Sequence, residues 1–243
     1  MSITIKDVAA GAGVGVGTVS RVLSGSTSVS KQTRQRVEEE IQRLHYVPNS
    51  LAGALSSRRS GIVAIIVPTL EQSIFADTVD GAESELNVRN LQVMVGQTKY
   101  DIGREAELVK AFLKLRPEGL ILTGSNHLPI VHDLLNAADI PVAECWGRAE
   151  TPIGISVGFD NQAAARDIVT HMIDRGRRRI AMLCAPRHFD NRLQQRIDGY
   201  EEAMNLHGLE IDVHDSIEGS STYSGFHQSG KVLDHILQQR PDT

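Results

Sequence analysis

"TIKDVAAGAGVGVGTVSRVL", Thr4 to Leu23, places two short apolar repeats at helical spacing on either side of a glycine-containing turn. Ile5, Val8, Ala9 and Ala12 form the first repeat; Val16, Val19, Val22 and Leu23 form the second. Thr4 followed three residues later by Asp7 is capping-box grammar and marks where the first helix starts. Two helices so joined make a helix-turn-helix, whose second helix turns Gly17, Thr18, Ser20 and Arg21 outward. Small polar groups with one long cation suit a helix that enters a major groove.

The same glycines invite a rival reading as a phosphate-cradling loop. A dinucleotide fingerprint follows a buried strand and carries glycine at its first, third and sixth positions. Here a helix start precedes the glycines, and counting from Gly11 or Gly13 the sixth position is Val16 or Thr18. The rival fails both tests.

Downstream, "SGSTSVS" (24–30) reads as a turn-rich loop whose Ser30 caps a third helix running to about Leu44. Val37, Ile41 and Leu44 form its inner stripe. Arg34 and Arg36, near its start, can reach phosphate, although charges on a helix are usually a solvated face. "HYVPN" (45–49) stops it, because Pro48 disfavours helix at Val47. The next stretch, Ser50 to Ser56, is too short to hold as a helix alone, and Gly53 weakens it.

These motifs together resemble the LacI/GalR family of transcriptional regulators: "DVA..AGV...TVSRVL", "VS..TR..V...I..L.Y.PN" and "A..L" recur along the head. The resemblance implies an all-α helix-turn-helix DNA-binding domain with a hinge helix over 1–57. Val16 and Gly17 then fall on specificity positions that open the recognition helix, Thr18 and Ser20 on phosphate contacts, and Arg21 on the base-reading arginine. Asn49 matches a hinge-entry position, Ala52 the small hinge residue and Leu55 the leucine wedged into a central minor-groove step. Gly15 and Gly17 depart from the family pattern, where a capping serine and a base-reading side chain are common.

Charge divides the chain at the same place. Residues 1–60 hold eight Lys and Arg against four acids, a net of +4; the other 17 cations and 26 acids give −9, for a total of −5. A basic head on an acidic body suits a DNA contact confined to the head. With 243 residues and 41% hydrophobic content there is room for that head and one larger α/β unit. No apolar run reaches membrane-spanning length and no secretory pattern opens the chain, so a cytoplasmic protein with no membrane partner is expected. Cys145 and Cys184 share no metal or redox spacing and read as buried thiols.

From Gly61 the period alternates strand and helix. "GIVAIIV", "LQVMVG", "GLILTG" and "PVAEC" read as strands, with helices at Gln72 to Leu86, Arg104 to Leu115 and Pro129 to Ala138. A second set follows: "ISVGFDN", a helix capped by Asn161 and ending at Arg175, "RIAMLC", a helix from Asn191 to His207, a weak strand "HDSIEG", and a helix from Ser221 to Gln239. Such alternation implies parallel doubly wound lobes. The expected architecture is a periplasmic-binding-protein-like effector-binding and dimerisation core over 61–243, with a first lobe to about 155 and a partial second lobe from about 156. "GFDN..AA", "GRRRIAML" and "RIDGYEEAM" echo family patterns, with Arg177 where a histidine is usual. The chain ends at "RPDT" before an expected buried strand, leaving the second lobe incomplete, either as a fragment or as a truncated product with open sheet edges.

Ligands of parallel sheets bind beyond the carboxyl ends of strands. Candidates there are Phe75, Ser125, His127, Glu144, Asp160, Arg192 and Arg196. By resemblance Arg196 is the arginine that grips an effector and Phe75 its aromatic wall. The ordinary alternatives are core for Phe75, a helix cap for Asp160 and Asn161, and a solvent-facing loop for His127. "TLEQSIFAD", "HLPIV", "PVAE" and "SVGFDN" look most like the gluconate-type repressors, and an acidic sugar would suit paired donors from Arg192 and Arg196.

The reading is a homodimeric regulator, most simply a repressor, that binds a double-stranded operator and a sugar or sugar-acid effector and needs no cofactor or metal. A solute-binding protein explains only the core and should carry an export signal. An enzyme is not expected, as there is no G-x-S-x-G elbow, P-loop or His/Cys metal spacing.

Overall fold

The computed structural model describes residues 3–47, 60–184 and 191–215, with Leu233, Asp234 and Gln238. The chain divides into two compact units, residues 1–60 and 61–243. The hinge stretch that carries Asn49, Ala52 and Leu55 lies outside the described residues. So do most of the helix expected over 221–239 and the end of the "HDSIEG" strand.

The head packs α1 (Ile5–Ala12), α2 (Val16–Leu23) and α3 (Lys31–Leu44) around Val8, Ala9, Ala12, Val19, Val22 and Val37. The Thr4 backbone N–H and hydroxyl both donate to Asp7 Oδ2 at 2.7 Å, which closes the start of α1 and holds the Asp7 carboxyl below its ordinary value. Gly13, at φ +63°, takes the left-handed turn between α1 and α2 that a side chain would resist. Only one stripe of α2 is covered, so Val16 and Leu23 lie exposed, not on the inner face that their spacing suggested. Ser30 Oγ accepts the Thr33 N–H at 3.2 Å, as its capping role requires. The helix ends earlier than Pro48 alone would dictate, because His45 adopts the left-handed cap conformation at φ +50°.

In the core, β1 (Ile62–Val67), β2 (Gln92–Gln97), β3 (Gly119–Thr123), β4 (Val142–Cys145) and β5 (Ile155–Val157) form a parallel sheet in the order β2-β1-β3-β4-β5. Ile65 of β1 pairs with Val95 on one side and Ile121 on the other. Alternate residues of β1 feed two hydrophobic layers. Ala64 and Ile66 pack with Ala106, Val109 and Phe112 of α5 (Ile102–Leu113) and Val131 and Leu135 of α6 (Pro129–Ala138). Ile65 and Val67 pack with Phe75, Val79 and Ala82 of α4 (Ser73–Asn87) on the opposite face. A strand buried on both faces must be apolar throughout, which is why "IVAIIV" shows no alternation.

α5 begins at Ile102, earlier than the expected Arg104, because Asp101 accepts the Gly103 and Arg104 N–H groups. In the second set, α7 (Asn161–Asp174) packs on α8 (Asn191–Leu206), beside a parallel pair β6 (Met182–Cys184) and β7 (Val213–Asp215). Gly199 permits the α7–α8 contact, since a Cβ there would stand 2.1 Å from the Gln162 carbonyl oxygen. The cap of α7 is Asp160, whose Oδ1 accepts the Ala163 N–H at 2.9 Å; Asn161, expected to cap, is the first helical residue and is buried. Cys184 is buried but Cys145, expected to be, is only half-buried; burial still pushes its thiol up.

Candidate functional site

Two sites are assembled separately. In the head, Val16, Gly17, Ser20 and Arg21 are exposed and Thr18 is half-buried, all on α2. α2 has no side-chain cap, because Gly15 occupies that position, and a Cβ on Gly17 would meet nothing within 4 Å. Arg34 is committed elsewhere: its guanidinium donates to the Ser26 carbonyl at 2.6 Å and the Val22 carbonyl at 3.4 Å, tying α3 to the end of α2. Arg36 stays exposed. The buried Glu40 accepts from Arg43 Nε at 2.8 Å, and that bond holds its carboxyl below the ordinary range.

In the core, the strand order reverses between β1 and β3, so the connections leave a crevice beyond their carboxyl ends. A cavity of about 240 Å³ lies there, lined by Pro68, Thr98, Asp101, Glu105, Thr123 and Arg192 among others. Beside it, sharing Tyr100 and Arg192, is a cavity of about 370 Å³ walled by Phe75, Trp146, Phe159, Asn161 and Arg196. A third, about 850 Å³ and polar, is bounded by Ser125, His127, His132, Arg148, Asp160 and Gln195 among others.

The 370 Å³ cavity has an aromatic wall and a cationic end. Phe75 and Trp146 meet edge to face at 6.1 Å, and the Arg192 guanidinium stands 5.5 Å over the Phe75 ring. Trp146 is fixed by its Nε1–H, which donates to Thr78 Oγ1 at 3.0 Å. Arg196 donates to Asn161 Oδ1 at 2.8 Å, and Asn161 Nδ2 donates to the Trp146 carbonyl at 3.2 Å. Aromatic faces beside oriented guanidinium groups fit a polyhydroxylated ring or chain that carries an anionic end.

Phe75, Arg192 and Arg196 thus meet at one cavity, while Ser125, His127 and Asp160 line the polar one. Glu144 lines none of the three; it is 1% exposed and faces His127. His127 is not a solvent-facing loop residue. Its side chain is fully buried, with Nδ1 2.7 Å from Glu105 Oε1 and Nε2 3.3 Å from Glu144 Oε1, the latter an ion-pair distance without hydrogen-bond alignment. Burial works against its charge but the two carboxylates outweigh that, raising its pKa above the ordinary value. Sequence reasoning missed Tyr100, Glu105, Trp146, Phe159 and Asn161 as parts of the site. Trp146 alone carried a usable signal, as the chain's one tryptophan placed one residue beyond a strand.

Comparison with known proteins bears on both units. Residues 4–49 match the family model "Bacterial regulatory proteins, lacI family", and residues 60–243 match "Periplasmic binding proteins and sugar binding domain of LacI family". The chain is 35% identical over 220 residues to the HTH-type transcriptional regulator GntR of Escherichia coli K12, covering 90% of this chain and 66% of that one. It is 34% identical over 207 residues to the regulator IdnR of the same strain, covering 85% of this chain and 62% of that one. The chain therefore spans about two thirds of these relatives' length. A crystal structure of a LacI-family transcriptional regulator from Silicibacter pomeroyi superposes with a TM-score of 0.88 at 34% identity, covering 99% of this chain and 71% of that one.

Proposed function

This chain belongs to the LacI family of bacterial regulatory proteins, and from that premise we propose that it is a sequence-specific DNA-binding regulator of carbohydrate or sugar-acid metabolism. It acts as a homodimer on a pseudo-palindromic operator. The single observation that carries the effector half of this reading is the convergence of Phe75, Trp146, Arg192 and Arg196 on one cavity. In the head, Val16, Gly17, Thr18, Ser20 and Arg21 face DNA, and by family resemblance Asn49, Ala52 and Leu55 serve the hinge.

The effector is a sugar acid, gluconate first. Arg192 and Arg196 supply donors to its carboxylate and the aromatic wall takes its carbon chain, while Ser125, His127 and Asp160 shape the polar side of the cleft and Glu144 backs His127 from within. Effector binding changes the lobes and thereby the operator affinity. Selection of bound sequences from a random duplex library, followed by titration with gluconate, tests the proposal. Enrichment of a pseudo-palindrome whose affinity changes with gluconate is expected. A library without enrichment overturns the DNA-reading role, and an enriched operator indifferent to gluconate overturns the effector.

A further inference from the structure

Three ionisable side chains from three separate elements meet below the cleft. Glu105 comes from the first turn of α5, His127 from the loop between β3 and α6, and Glu144 from β4. Their side chains are 8%, 0% and 1% exposed. Glu144 is held from its far side as well, where its Oε2 accepts the Ile153 N–H at 2.8 Å. Glu105 lines the 240 Å³ cavity and His127 the 850 Å³ one, so the cluster lies between two cavities of the same cleft and forms part of the partition beside them.

Buried charges are costly unless paired, and an apolar partition of the same volume would generally be no less stable. An imidazolium between two carboxylates is the arrangement that compensates both oxygens facing it, at 2.7 Å and 3.3 Å. We propose that His127 is a positioning residue: as an imidazolium it clasps Glu105 and Glu144, fixes the partition, and makes the shape and effector affinity of the cleft depend on pH. The affinity half rests on the reading of this cleft as the effector site.

Other titratable and charged groups face this region. His132 of α6 has its ring centre 6.1 Å from that of His127. Arg148, Glu150 and Asp160 line the same polar cavity, and Asp101 lines the smaller one with Glu105. His132 is the fitting control, because it is a second imidazole beside the first in the same cavity.

The direction follows from the raised pKa of His127. The clasp is complete below the ordinary imidazole value of about 6.5 and is lost as pH rises through the higher folded value. The test follows the unfolding midpoint and the Trp146 emission of the chain from pH 6 to pH 9, with calorimetry against gluconate. In the parent and in H132Q the midpoint falls and the emission shifts with rising pH, and gluconate affinity falls by up to about tenfold per pH unit, the ceiling for linkage to one proton. In H127Q all three become flat. E144Q keeps an oxygen for Ile153 and moves the ring titration of His127, read by NMR, to lower pH, which tests the clasp even where H127Q fails to fold. An unmoved ring titration in E144Q, or an H127Q chain with the parent's pH dependence, overturns the clasp. Gluconate binding of equal strength at both ends of the range overturns its effect on affinity. If the ligand-free pattern holds while gluconate gives no heat at any pH, the clasp stands and the gluconate reading falls.

Discussion

The head and the core place their working side chains in opposite ways. α2 of the head buries Val19 and Val22 and leaves Val16, Ser20 and Arg21 exposed. The core buries part of its polar set: Glu105, His127, Glu144, Asn161 and Arg192 are all under 9% exposed, each with a partner at close range or over an aromatic ring, while Arg196 and Asp160 stay exposed but hydrogen-bonded. The difference is the one that the proposed ligands call for. DNA arrives with its own charge and hydrogen-bonding edges, so the reading surface can stay hydrated until contact. A small effector is best oriented by groups fixed beforehand, and here they are fixed by pairing, with burial added for most of them.

That contrast can be broken or sharpened by substitutions, taken in order of expected effect. Gly199→Ala puts a methyl 2.1 Å from the Gln162 carbonyl oxygen, so α7 and α8 must separate. A loss of about 3 kcal/mol of core stability is expected by urea unfolding, in the upper part of the range for overpacking; a change within experimental error would show that the helices slide freely. Arg196→Gln removes a charged donor that lines the 370 Å³ cavity and, if that cavity takes the proposed effector, weakens its binding by about 1.5–3 kcal/mol in calorimetry, with the unfolding midpoint little changed.

Arg21→Ala in the head should cost about 1–3 kcal/mol of discrimination at a guanine and leave core stability as it was. An operator titration with unchanged base preference would remove Arg21 from the reading set. The smallest effect is a gain. Gly17→Ala meets nothing within 4 Å and should slow amide exchange in α2 by about 0.5–1 kcal/mol equivalent, since alanine loses less entropy in a helix. If exchange instead quickens, the exposed face of α2 has a packing role that its surroundings do not reveal.

Much of this molecule was legible in order along the chain. Capping by Thr4 and Ser30, the glycine turn at Gly13 and the strand "IVAIIV" are all local patterns, and the observed elements begin within a residue or two of where those patterns place them. The misplacements were also local. Asp160 caps α7 in place of Asn161, and either residue type can cap, so only the Ala163 N–H settles which does. Val16 and Leu23 fit the helical stripe of α2, but an eight-residue helix has two neighbours and cannot cover every apolar position. At the cleft, Phe75 and Arg196 were legible as strand-end and helix-start positions; Tyr100, Phe159 and Glu105 carried no comparable signal.

By itself, then, the sequence determined the helix-turn-helix, the switch to strand-helix alternation at Gly61, and the charge division between the two units, because each depends on periodicity, caps or composition read over a few neighbouring residues. Tertiary structure alone decided that β1 lies between β2 and β3, which opens the crevice, and that residues 105, 127 and 144 meet within 3.3 Å. Side chains 17 to 39 positions apart have no local pattern that pairs them. They meet because strand order and helix placement bring them together, and the low-dielectric interior then makes their pairing necessary.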